Sequence, residues 1–225
     1  MTNTKLMPMV KANGNLVDEK SGEVTIKYMP GYPRQIRFDA SRGMFNVKGE
    51  IPLTKKGEEI TILPLAYRIF SDDILGMGKK AWVEFFFLNN SNQMCALLLH
   101  GYSVQNLMRQ ADEMFYDDVT FCDVALTIKP IEKTSTKQDE QGKFPKYYMC
   151  EFGYKKLDKQ MLDTLNTAKN GLHIWRVETH TGDAEISFQK GYNPPVIKDR
   201  LSDTTEPEAV ATGDKTEPQA AEAKK

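Results

Sequence analysis

Apolar and polar positions alternate with a two-residue period along much of the chain. Ile36 and Phe38, then Phe45 and Val47, alternate with Arg37, Asn46 and Lys48, the signature of a half-buried strand that bends near Ser41-Arg42-Gly43. In ITILPLAYRIF (60–70), Leu63, Leu65, Tyr67 and Ile69 share a face, and Pro64 marks an edge or a bulge. The aromatic run Ala81–Leu88 turns at Asn89–Gln93 into Met94–Leu99, a long strand or a hairpin. The period then changes: Val104, Leu107, Met108, Ala111, Met114 and Phe115 recur at three- and four-residue spacing, which predicts a helix with Ser103 as its cap. Alternation returns over Val119–Ile131 and, after a polar connection, over Tyr147–Tyr154. Asp158 is placed to cap a short helix that stops at Asn170-Gly171, and Leu172–Phe188 offers a last strand pair around Thr181-Gly182-Asp183.

The expected fold is therefore mainly β. Its order of elements is that of an OB-like barrel of five to six strands with one helix between strands 3 and 4, a small Greek-key fold that binds oligonucleotides or oligosaccharides. Residues 34–157 would form the barrel, with Ile51–Glu59 and Glu132–Pro145 as its binding loops, and 158–198 a short C-terminal α/β extension. Residues 1–33 read as a polar arm that contributes an edge strand around Val24, Ile26 and Tyr28. Residues 199–225, rich in Pro, Glu, Ala and Thr and lacking aromatics, cannot bury enough surface to offset their ordering entropy and are expected to be disordered.

Charge refines this picture. The chain carries a net −1, but its tail holds seven acids against four bases, leaving the body at +2, compatible with a local basic groove. No secretion signal precedes the first strand and no segment approaches the roughly 20 apolar residues of a membrane span, so a cytoplasmic location is expected, the host cytoplasm for a viral protein. Cys95, Cys122 and Cys150 sit far apart in apolar runs, which predicts reduced core thiols with neither disulfide nor zinc.

Catalytic constellations are missing from the sequence. Leu75-Gly76-Met77-Gly78-Lys79-Lys80 has Asp73 and Lys80 where a phosphate loop needs Gly and Ser or Thr, and reads as a turn. His173 and His180 lack the spacing of a helical zinc protease, and the pairs Asp72-Asp73 and Asp117-Asp118 fall where turns are expected. The chain is read as a non-enzyme without cofactor or metal.

Binding has better material. If Val83, Phe85 and Phe87 face the core, Trp82 and Phe86 point the other way, either open to a stacking base or buried beneath another layer. Arg37, Lys48, Lys55 and Lys56 in the first strand and its loop, and Lys133, Lys143 and Lys146 around the long hairpin loop, could hold phosphates beside Tyr147 and Tyr148. The strings RGMFNVKGE, ITILPLAYRIF, AWVEFFFLNN and KYYMCEFGYKKL, followed by an acidic tail, resemble the plan of phage-type OB-fold single-stranded-DNA-binding proteins. That resemblance implies sequence-tolerant binding of single-stranded DNA in replication or recombination, with partner proteins reached through the tail. The C-terminus departs from the bacterial pattern, ending Glu222-Ala223-Lys224-Lys225 rather than in an apolar tip. A virion or assembly protein that buries the same aromatics between subunits is the alternative, and a homo-oligomer is compatible with both.

Overall fold

The computed structural model describes residues 26–76, 78–177 and 184–195. The acidic tail, the arm before Ile26, His180 and the turn at Thr181-Gly182-Asp183 lie outside them. The described residues are mainly β, with ten strands in two sheets and two α-helices. None of the described helices is long and apolar enough to cross a membrane.

The first predicted strand is a hairpin of β1 (Arg34–Asp39) and β2 (Met44–Val47). Asp39 Oδ1 accepts from the Ser41 and Arg42 amides at 2.9 and 3.1 Å to form its turn. Any side chain at Gly43, φ +67°, would collide with the Tyr148 ring. After the short β3 (Ile51–Pro52), the segment from Ile60 crosses between sheets: β4 (Ile60–Ile62) belongs to one and β5 (Pro64–Asp72) to the other. The crossing falls at Leu63-Pro64, where proline offers no amide to the ladder and the register shifts before Ala66.

The aromatic run resolves as a hairpin, β6 (Lys80–Leu88) and β7 (Met94–His100). Helix α1 (Tyr102–Tyr116) follows, but its N-cap is Gly101 at φ 65°, not Ser103. Ser103 lies inside the first turn, buried, with its hydroxyl accepting from Cys150 N at 3.0 Å. The long hairpin is β8 (Val124–Thr134) and β9 (Lys146–Lys156). Asp158 caps α2 (Lys159–Lys169) through Met161 N at 2.8 Å, as its position predicted. Of the expected last strand pair, only β10 (Glu185–Lys190) is a strand among the described residues, antiparallel to β5.

The large sheet runs β10-β5-β6-β7-β1-β2-β3 and the small one β4-β8-β9. The main core, including Phe45, Phe85, Phe87, Leu97, Leu107 and Leu126, fills the space between the two sheets and α1. A second core lies on the other face of the large sheet, where Leu165, Ala168, Ile174 and Tyr192 cover Phe86, Leu88 and Ala96.

The sheets do not close into a barrel. Closure would need β9 to pair with β7, but β7 takes β1 as a parallel neighbour instead. Groups on β9 find other partners: Cys150 N bonds Ser103 Oγ, Asn106 Nδ2 donates to Cys150 O at 2.9 Å, and Tyr148 N donates to Ala40 O at 2.7 Å. With its polar backbone satisfied by α1 and the first hairpin, the seam gains little from closing.

Candidate nucleic-acid interface

The expected stacking platform is buried. Trp82 is 3% and Phe86 0% exposed; the Trp82 indole donates to Asp72 O at 2.9 Å and stacks near His100, while the Phe86 ring lies 5.6 Å from Tyr192. The reading that opens these rings to a base is therefore corrected: the C-terminal extension covers Phe86, and Trp82 is enclosed beside Asp72 and His100. Between them Glu84 is also buried, and its two oxygens are divided between two guanidiniums. Arg68 Nε and Nη2 donate to Oε2 at 2.8 and 2.6 Å, and Arg176 Nη1 to Oε1 at 2.9 Å. Arg68 also donates to the Tyr192 hydroxyl at 2.9 Å and lies over the Tyr192 and Phe70 rings. Two cations on one carboxylate leave this cluster with a net positive charge, and Arg176 carries it toward the surface.

The hairpin-loop cations are brought together in part, around an acid of their own. Lys146 Nζ lies 2.6 Å from Glu132 Oε1, Tyr148 donates to Oε2 at 2.5 Å, and Lys56 stands 3.7 Å away and over the Tyr148 ring. The hydrogen bonds from Lys146 and then Tyr148 pull the Glu132 carboxyl down to about 2. Tyr148 is buried and Tyr147 half-buried, its ring 6.2 Å from Tyr102. Lys55, Lys133 and Lys143 are exposed and make no side-chain ion pair among the described residues. Two lysines on one carboxylate leave this cluster a net positive charge as well, but its Tyr148 ring is buried and offers no face for stacking.

A different surface combines free cations with an open ring. The segment before β1 crosses the large sheet: Lys27 N donates to Asn92 O at 2.9 Å and Met94 N returns a bond to Lys27 O at 3.0 Å. Met29-Pro30-Gly31-Tyr32 then makes a tight turn, with Tyr32 N bonded to Met29 O at 2.8 Å and Gly31 at φ +84°. A Cβ at Gly31 would approach Val177 and Trp175 to 2.7 and 2.8 Å, so only glycine lets the extension pass this close. The Tyr28 hydroxyl fixes the crossing, accepting from Gly31 N and Trp175 N at 3.1 Å and donating to Trp175 O.

These contacts leave a groove of about 580 Å³ lined by Lys27, Arg34, Lys48 and Arg176, with Tyr32 and Ile51 among its walls and no acid among the described residues that line it. Tyr32 is 58% exposed. Arg34 is oriented by Gln93 at 2.6 Å, and the Arg176 Nε is buried with no acceptor among the described residues. Arg37 is exposed on the same strand as Arg34 but does not line the groove. Of the site residues expected from sequence, Lys48 alone lies here. Lys27, Tyr32 and Arg176 were missed because they stand in segments read as an arm and an extension; the Pro30-Gly31 turn beside a tyrosine was the available signal.

Among the described residues no three His, Cys, Asp or Glu side chains gather as metal ligands. Burial pushes the Cys95, Cys122 and Cys150 thiols up to about 12, leaving them protonated and inert. No family model, curated protein or solved structure matches the chain.

Proposed function

We infer that the protein binds single-stranded DNA with little sequence preference, holding phosphates in the groove of Lys27, Arg34, Lys48 and Arg176 and stacking a base on Tyr32. The observation that carries this reading is the lining of four cations, with no acid among the described residues, around an exposed ring. Connectivity adds support. The order β4–β5, β6, β7, α1, β8, β9, with one segment shared by two sheets and a helix before β8, supports relating this core to an OB fold, although β7 and β9 do not pair. On this reading the β1–β2 hairpin is an insertion at the open seam. The face of the second and third strands, where an OB fold takes oligonucleotides, is occupied by the extension, and binding moves to the neighbouring edge. The protein would then protect or organise strands in replication or recombination.

Fluorescence anisotropy of a labelled oligothymidylate, titrated beside a matching duplex at low and high salt, tests this. Binding that prefers the single strand and weakens with salt is expected; equal or absent response to both would overturn it. The assembly-protein alternative draws on a separate observation, the exposed rings of Phe115, Tyr116 and Phe188.

A further inference from the structure

Phe115 and Tyr116 are 75% and 84% exposed, and their rings meet edge to face at 5.6 Å. The stripe expected for α1 included Phe115, but the helix packs Met114 inward and leaves Phe115 and Tyr116, one and two positions further on, exposed to solvent. Phe115 and the exposed Phe188 rim a cleft of about 290 Å³ floored by Tyr67, Ile69 and Phe121. Scattered exposed apolar residues are ordinary, but three rings contiguous with an apolar cleft mark an interaction surface.

The charge around these rings is negative. Asp112, Glu113, Asp117 and Asp118 are all exposed. The nearby bases are Arg109, Lys156, already 3.3 Å from Asp117, and Lys190, already 3.3 Å from Asp123. The C-terminal end of α1 adds the negative pole of its dipole. Such a surface repels phosphate and suits a partner that is both apolar and cationic.

This chain carries a surface of that description elsewhere. Met29, Tyr32 and Ile51 are exposed apolar residues beside Lys27, Arg34 and Lys48, and no acid among the described residues lines their groove. The two surfaces flank opposite ends of the large sheet, one at β10 and β5, the other at β1, β2 and β3. Three strand spacings separate β5 from β1 and six separate β10 from β3, about 14 to 29 Å at roughly 4.8 Å per strand, so a molecule cannot cover its own patch.

We propose that the protein self-associates head to tail, the acidic Phe115–Tyr116 surface of one copy docking on the basic groove edge of the next. Because the two surfaces differ, the contact is heterologous and propagates as an open chain rather than closing as a two-fold dimer.

Sedimentation velocity on the full chain, free of DNA, tests this contact separately from strand binding. Wild-type protein should sediment faster with rising concentration at low salt and return to monomer at high salt. The exposed double change Asp112→Lys with Glu113→Lys should weaken association by about tenfold or more while strand binding is kept, and Lys27→Glu with Lys48→Glu should weaken it similarly. Each double change cancels one patch, so neither variant alone has both halves of the contact, but in a mixture the intact acidic surface of one meets the intact groove of the other and should form pairs rather than chains. A wild type that stays monomeric at all concentrations, or association that neither change alters, would overturn the proposal. Loss in both variants without recovery in the mixture would show that unfolding, not charge, had been measured, and would also count against it.

Discussion

Replacing Lys48 by alanine separates the groove from the hairpin loop as the seat of strand binding. Four positive charges face the groove: Lys27, Arg34, Lys48 and the net charge left by Arg68 and Arg176 on Glu84. Each neutralised phosphate of a single strand contributes about −0.7 to the slope of log K against log salt, so four predict about −2.8. Between about 50 and 200 mM salt this slope lowers affinity by roughly 50-fold. Lys48→Ala removes one charge, and the slope should fall to about −2.1, with a loss of only about 20-fold over the same range. Lys56→Ala should leave the slope near −2.8, because Lys56 does not line the groove. Anisotropy of a labelled oligothymidylate of about thirty bases, long enough to fill a site of this kind, gives all three slopes. A slope that ignores Lys48→Ala and drops with Lys56→Ala would place the strand on the hairpin and refute the groove.

Tyr32→Ala should weaken strand binding by about 1–3 kcal/mol with no change in salt slope, while Tyr32→Trp keeps affinity; equal affinities for all three proteins would remove stacking from the account. Glu84→Gln leaves two buried guanidiniums on a neutral amide and should cost about 3–5 kcal/mol in urea unfolding, whereas Lys79→Ala, breaking the exposed pair with Glu185, should cost less than about 1 kcal/mol. Glu132 is held at about 2 in the folded chain against an ordinary 4.5, so its contribution is complete above about 4.5 and fades as pH falls toward 2. The Tyr148 ring resonances of the folded chain should shift with a midpoint at about 2 in the wild type and stay flat in Glu132→Gln; a wild-type midpoint at about 4.5 would break the argument.

Elements whose partners are local were legible in the sequence. The stripe of α1 as far as Met114, the β8–β9 alternation, the Asp158 cap and the Pro64 irregularity are all settled by neighbours a few residues away. What the sequence left open was which face of β6 meets solvent, because both parities of AWVEFFFL carry large rings and the covering residues come from 165–192, about eighty or more positions downstream. One signal was present. Glu84 is the sole charge inside that run, and a carboxylate amid aromatics implies either an open face or a buried cation, here Arg68 and Arg176. Barrel closure was equally out of reach, since it turns on Ser103 and Asn106 satisfying β9, two polar residues on a helix whose local pattern says nothing of their targets.

The cover over β6 also explains where the groove lies. Tyr192 and Ile174 seal the sheet face, and the ion cluster beneath them ties Arg176 to the strand it covers. Arg176 is thus fixed by Glu84 on one side and bridged to Gly31 on the other, so the segment before β1 and the extension meet along a single line. Lys27, Tyr32 and Arg34 belong to the first and Arg176 to the second. The same contact that removes Phe86 from solvent therefore assembles the cations at the sheet edge, and a change that loosens the cover must also disperse the groove.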